Sequence, residues 1–325
     1  MKKLFYMILL LLLTLPSAAA VQKHQRLKVG LVLGGGGAKG AAEVGVLKYI
    51  EKSGIPIDYI AGTSIGSIVG GMYACGYKAA DLDSMFNSQK WINLLTDRNT
   101  SYDTDFIHVD NGTAYVFGFP VTKFSFSDFK PGIIRGDSVV ALFNEKTQRP
   151  DSMSFDDLPI PFRCVAVDVK RIKEVVLSHG VLSTAMRASM AIPGVFKPVA
   201  LDSTLLIDGG ALNNLPVDVV RDMGADVVIA IDLTQNKREA RDKDMKPKKG
   251  LGLLLEWIKV RPDLEKYNEN VKNCDVYINP NLKGYDAASF TTGKIKKMIE
   301  LGEEAGKDAE SDLKKLKKIV MKGKP

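Results

Sequence analysis

Four consecutive glycines, Gly34–Gly37, follow directly on the apolar run Val29–Leu33 and lead at once into small, helix-compatible residues, so that the stretch reads VGLVLGGGGAKGAA. Glycine loses more backbone freedom on folding than any other residue, and four in a row are costly unless something must approach the main chain there. A buried-type strand, a glycine turn and a helix in immediate succession open an α/β chain rather than a bundle or a β-sandwich.

The pattern continues. Helical periodicity from Ala38 places Val44, Leu47 and Ile50 a turn apart, and Gly54 stops it. IDYIAGTS reads as a second strand and SIGSIVGGMYACG as a small-residue helix; PFRCVAVDV, EVVLSH, STLLIDGG, ADVVIAIDL and CDVYINP read as further strands separated by turns or helices. Continuous Val/Ile-rich strands alternating with helices predict a largely parallel sheet covered on both faces, a doubly wound three-layer α/β/α sandwich. Residues 290–320 are expected as one long helix, with Ile295, Met298, Ile299, Ala305, Ala309, Leu313 and Leu316 on one apolar stripe. A strand and an amphipathic helix cannot bury themselves alone, so a single domain over 27–320 is expected. Residues 97–135, with Phe117, Phe119, Phe124 and Phe126, read as an inserted hairpin or cap, and 237–250 as an exposed charged loop.

At 325 residues with 45% hydrophobic and 26% charged residues, the chain has the composition of a globular protein. Its start is a separate case. Lys2 and Lys3, the apolar run Leu4–Leu15 and Ala18-x-Ala20 form a secretory leader over residues 1–20, too short to span a bilayer comfortably. This predicts export across the inner membrane, to the periplasm or the cell exterior. The net charge of +7 concentrates in LKKLKKIVMKGKP and KREARDKDMKPKKG. Anionic headgroups would attract both segments; both also read as a solvated helix end and a solvated linker. No aromatic residues interleave with the basic ones, which argues against nucleic acid. Cys75, Cys164 and Cys274 form no close pair, and with three histidines and no HExxH or CxxC, no metal site is expected.

Gly35-x-Gly37-x-x-Gly40 fits a dinucleotide fingerprint formally, but the second strand ends in AGTS rather than on an acid. A P-loop needs Lys-Ser/Thr after the last glycine, where this chain has Ala41. The second strand instead runs into Gly62-Thr-Ser64-Ile-Gly66, a G-x-S-x-G between strand and helix, the context of a nucleophile elbow. An N-cap role for Ser64 is the plainer alternative. A serine nucleophile needs a base. Only His179 has even an arguable place in a Ser–acid–His order, and it lies in a plain turn. A carboxylate is left: Asp208, at the end of an apolar strand and followed by Gly209-Gly210, is placed at the sheet edge, although Asp-Gly also caps ordinary turns.

Together, GGGGAKGAA, GTSIG, the DGG at Asp208, RASMAIPGVFKPV (187–199) and the C-terminal segment from Cys274 resemble the patatin-like phospholipase family over Leu27–Leu316. The resemblance implies a patatin-like fold and a lipid acyl hydrolase with a Ser–Asp dyad, no cofactor and no metal, acting on a phospholipid or simpler acyl ester. It implies Ser64 as nucleophile, Asp208 as general base and acid, and the glycine run as oxyanion block. Backbone N–H groups of Gly35, Gly36 and Gly37 at a helix start suit that task. Lys39 stands where many members carry Arg, and Gly62, Gly66, Gly209 and Gly210 support the two catalytic turns. The competing expectation is an idle lipid-binding or scaffold protein on the same fold.

Overall fold

A computed structural model describes residues 26–97, 108–110, 113–116, 119–120, 134–201, 203–235 and 263–323. β1 (Val29–Leu33) passes through a 3-10 turn (Gly37–Gly40) into α1 (Ala41–Ser53), and β2 (Tyr59–Thr63) passes into α2 (Ile65–Ala74), followed by α3 (Ala79–Ser88) and α4 (Trp91–Leu95). β3 (His108–Asp110), β4 (Thr113–Val116) and β5 (Phe119–Pro120) form a separate antiparallel sheet. Then come α5 (Asp137–Thr147), β6 (Ser152–Ser154), β7 (Phe162–Asp168), β8 (Lys173–Leu177), β9 (His179–Val181), α6 (Leu182–Ser189), β10 (Val199–Leu201) and β11 (Thr204–Asp208). The chain closes with α7 (Val217–Asp222), β12 (Val227–Ile231), α8 (Leu264–Lys272), β13 (Val276–Ile278), α9 (Thr292–Asp308) and α10 (Glu310–Lys322).

The central eight-stranded sheet has the order β10-β11-β7-β2-β1-β12-β13, with β8 also paired to β7. From β7 to β13 the strands are parallel; β8 and β11 run antiparallel to β7, and β10 pairs antiparallel with β11. Alternation along the strands sorts side chains onto two faces. Val29, Leu31 and Leu33 of β1 pack with Ile229 and Ile231 of β12 against α1, α2 and α9, whereas Val32, Ala61, Val228 and Ala230 pack with Leu215, Val220 and Tyr267 on the α7/α8 side. The three-layer sandwich expected from the strand composition is the one observed.

The pairing of β7 positions the site. β2 runs parallel along Phe162–Val165, and β11 runs antiparallel along Ala166–Asp168. β8 pairs with Cys164–Asp168 throughout, so it occupies the other edge and leaves β2 and β11 end to end on the same one. The carboxyl ends of two strands therefore meet head to head, Thr63 opposite Val165 and Asp208 opposite Ala166.

One expectation changes. The single C-terminal helix is two, α9 and α10, joined at Ala309. α9 lies on α1 so closely that a Cβ at Gly302 would fall 2.0 Å from the Ala42 carbonyl oxygen and one at Gly45 2.1 Å from that of Ile299. α10 also reaches α1, its Lys317 ammonium donating to the carbonyl of Ser53, the last residue of that helix, and its Val320 carbonyl accepts from the Leu27 N–H at the start of the sheet. Of the inserted region, β3–β5 supply antiparallel pairing; Phe117, Phe124 and Phe126, and the residues expected as a charged loop (237–250) and as a leader (1–20), lie outside the described residues.

Gly302→Ala is expected to lower unfolding free energy by about 1–3 kcal/mol, since backbone cannot yield to the new methyl group. Gly293→Ala, in the exposed first turn of the same helix with open space around it, is expected to raise it by up to about 1 kcal/mol. Urea denaturation of both variants checks the pair; equal effects would contradict the close crossing.

Candidate active site

Ser64 sits between β2 and α2 with φ 55° and ψ −123°. A non-glycine residue in the left-handed region stores about 1–3 kcal/mol of strain and persists only where its surroundings impose it. They do so here. The Ser64 N–H donates to Ser189 Oγ at 2.9 Å, and that hydroxyl donates to the Val165 carbonyl at 2.6 Å. The Ser64 carbonyl accepts from the Ser67 N–H and hydroxyl. The flanking glycines let backbone cross backbone: a Cβ at Gly62 would lie 2.3 Å from the Gly66 carbonyl oxygen, and one at Gly66 2.2 Å from that of Leu33. The Ser64 side chain makes no capping bond to α2, so the N-cap alternative does not describe it.

Instead, Ser64 Oγ donates to Asp208 Oδ2 at 2.6 Å, across 144 residues of sequence. Asp208 ends β11; its N–H donates to the Ala191 carbonyl, and its Oδ1 accepts from the Gly210 N–H at 2.8 Å. A Cβ at Gly209 would lie 2.3 Å from the Val165 carbonyl oxygen, so the DGG turn can press against β7. Both catalytic candidates are buried, at 5% and 8% exposure. Burial pushes the Asp208 carboxyl up to about 6, against the hydrogen bonds from Ser64 and Gly210, which favour the charged form. Near neutral pH it is a carboxylate with unusually high proton affinity, as a general base requires.

The glycine turn lies beside this pair: a Cβ at Gly35 would be 3.2 Å from Ser64 Cβ. The expected donor set of Gly35, Gly36 and Gly37 is corrected in one member. The Gly35 N–H donates to the Asn214 carbonyl at 3.1 Å and is not available to an oxyanion. Ala38 gives its N–H to the Ala287 carbonyl. Among the described residues nothing takes the N–H of Gly36 or Gly37, and these two are left as candidate donors ahead of α1. Lys39 anchors the turn by donating to the Leu233 carbonyl at 2.9 Å; burial lowers the pKa of its ammonium, while Asp232 and Asp286 oppose the shift. Glu43, in the first turn of α1, is fully buried with neither carboxyl oxygen hydrogen-bonded among the described residues. Burial pushes the Glu43 carboxyl pKa well above the usual range.

His179 is exposed on β9, its Nδ1 3.2 Å from Ser178 Oγ, and makes no described contact with the dyad. Among the described residues no group of three or more His, Cys, Asp or Glu could hold a metal ion. Ser189 and Asn214 carry functions that sequence reasoning did not assign. Ser189 lies inside RASMAIPGVFKPV and Asn214 inside ALNNLP, segments whose motif character was visible but whose contacts were not.

The sequence matches the patatin-like phospholipase family over residues 31–221, a span that takes in the glycine turn, the elbow and Asp208. The chain belongs to this family. Patatin-like phospholipase domain-containing protein 7 of Mus musculus is 30% identical over 304 residues, covering 86% of this chain and 20% of that protein. Lysophospholipase nte1 of Aspergillus niger is 34% identical over 205 residues, 63% of this chain and 12% of that protein. The patatin-like chain thus spans a fifth or less of the length of these relatives. VipD of Legionella pneumophila aligns with a TM-score of 0.44 at 14% identity, over 86% of this chain and 67% of that one.

The titration of Asp208 has two consequences of known sign. As base it must be ionised, so kcat/KM is expected to fall tenfold per pH unit below about 6 and to level off above. Because its folded pKa lies above the unfolded value, its contribution to stability is full below pH 4 and is lost as pH rises through about 6. Asp208→Asn is therefore expected to gain roughly 3 kcal/mol relative to wild type between pH 4 and 7.5. Chemical denaturation at the two pH values checks this; a gain that does not grow with pH would contradict it.

Proposed function

We propose that this chain is a lipid acyl hydrolase that cleaves ester-linked acyl chains of phospholipids or related esters through Ser64 and Asp208. The observation that carries the reading is the 2.6 Å hydrogen bond from Ser64 Oγ to Asp208 at a strained elbow beside the glycine turn. As Oγ attacks the ester carbonyl carbon, its proton passes to Asp208 and the carbonyl π pair moves onto oxygen. Gly36 and Gly37 N–H groups, with the α1 dipole behind them, stabilise that oxyanion. Each such donor is worth about 3–4 kcal/mol in comparable sites. Collapse breaks the ester C–O bond, and Asp208 returns the proton to the departing alcohol. Water then attacks the acyl-serine, gives a proton to Asp208 and releases the fatty acid, and the proton returns to Ser64. Free alkoxide is never required, because proton transfer accompanies C–O bond formation.

The relatives named for phospholipase and lysophospholipase activity support a lipid ester as substrate. The Lys2-Lys3 pair, the apolar run Leu4–Leu15 and Ala18-x-Ala20 support a leader and work outside the cytoplasm, and the lysine-rich face of α10 would tolerate contact with anionic lipid.

Ser64→Ala is expected to abolish hydrolysis of a short p-nitrophenyl ester with far-UV dichroism unchanged. Asp208→Asn is expected to lose at least about a hundredfold in kcat. Mass spectrometry of mixed phospholipid vesicles should find free fatty acid with wild type and none with Ser64→Ala. Activity of Ser64→Ala within threefold of wild type would overturn the nucleophile, and vesicle binding without fatty acid release would favour the idle lipid-binding protein.

A further inference from the structure

Asn214 holds the oxyanion turn at two points. Its carbonyl accepts the Gly35 N–H at 3.1 Å, and its side-chain Nδ2 donates to the Gly35 carbonyl at 3.1 Å. One residue therefore grips both polar groups of Gly35. In a trans peptide the carbonyl and the following N–H point in opposite directions. With the Gly35 carbonyl drawn to Asn214, the Gly36 N–H is turned to the opposite side.

The side chain is wedged as well as bonded. Its Oδ1 would lie 2.3 Å from a Cβ at Gly35 and 2.6 Å from a Cβ at Gly210. The amide thus occupies the gap between the oxyanion turn and the DGG turn, whose Gly210 N–H holds Asp208. The preceding residue is anchored on the far side. The Asn213 carbonyl accepts from the Thr63 hydroxyl at 2.8 Å, and its buried side chain bonds Glu174, Asp218 and Asn270. Thr63 precedes the nucleophile. The Asn213–Asn214 pair therefore touches all three motifs: the elbow through Thr63, the oxyanion turn through Gly35, and the DGG turn through Gly210.

We propose that Asn214 is a positioning residue of the hydrolase: its side-chain amide fixes the Gly35–Gly36 peptide so that the Gly36 N–H faces the oxyanion formed on Ser64. The inference rests on the Ser64–Asp208 reading above and adds to it the group that pre-orients the donor. An unanchored glycine peptide could rotate at little steric cost, and each excursion would remove a donor from the transition state.

The test separates donor orientation from general damage. A trifluoromethyl ketone adds Ser64 Oγ to its carbonyl carbon, the Oγ proton passing to Asp208, and gives a hemiketal alkoxide that uses the oxyanion donors. The matching methyl ketone forms little adduct and reports ground-state binding. Asn214→Ala removes the side-chain donor and leaves the backbone bond to Gly35. Asn214→Asp fills the same volume and also cannot donate to the Gly35 carbonyl, which keeps the test available if the alanine variant does not fold.

Both variants, assayed above the acid limb on a p-nitrophenyl ester, are expected to lose at least about tenfold in kcat, with KM changed less than about threefold. Trifluoromethyl ketone Ki should rise by the factor lost in kcat/KM, while methyl ketone Ki stays within about threefold. Wild-type kcat in the folded variants, or equal loss of affinity for both ketones, would overturn the proposal. A Ser64→Ala arm separates the two readings: if that variant keeps its activity, the nucleophile is wrong, whereas an inactive Ser64→Ala beside a fully active Asn214→Ala refutes the role of Asn214 alone.

Discussion

Along one edge of β7, β2 and β11 run toward each other until Thr63 and Asp208 stand opposite the adjacent residues Val165 and Ala166. The remaining features of the site depend on this meeting. Parallel strands alone would leave their ends side by side, a strand spacing apart. The antiparallel β11 brings a carboxylate into line with the elbow, so a serine and an aspartate can share a 2.6 Å hydrogen bond without a histidine between them. Val165 is the pivot: its carbonyl takes the Ser189 hydroxyl that holds the Ser64 N–H, and it is the atom against which Gly209 turns.

That geometry settles the electrostatics. Two strand ends closing on each other exclude water from Asp208, and the loss of hydration raises its proton affinity, while the Ser64 and Gly210 donors keep the charged form accessible. The balance gives a base that is ionised at neutral pH yet far stronger than an aspartate in water. At the oxyanion side the same logic uses dipoles instead of charge. The glycine turn runs into the N-terminus of α1, and burial raises the proton affinity of Glu43 in its first turn.

The parts legible in the sequence were those fixed by local sterics. G-x-S-x-G and DGG announce turns where main chain passes main chain, and the Val/Ile-rich strands announce a sheet buried on both faces. Gly54 marks the end of α1, where it adopts φ 65°. What stayed hidden depends on partners distant in sequence. In sequence the Gly35 N–H belongs to a glycine turn and looks free to donate; only the fold brings the Asn214 carbonyl to it. Ser189 is an ordinary helical serine until β2 and β7 are adjacent. Gly302 shows in sequence as a helix weakener, and only the fold makes it the point where α9 meets the backbone of α1. The reversed direction of β11 comes from its hairpin with β10, which an apolar run ending on an acid does not specify.

The central claim is that Asp208 activates Ser64 directly. Labelling with a fluorophosphonate tests it most closely, because Oγ attacks phosphorus, fluoride departs and the serine proton must go to the base in a single step. The account predicts one adduct, mapped by peptide mass spectrometry to Ser64, formed in wild type and at least about a hundredfold more slowly in Asp208→Asn. Equally fast labelling of Ser64 in Asp208→Asn, or an adduct on another residue, would contradict it.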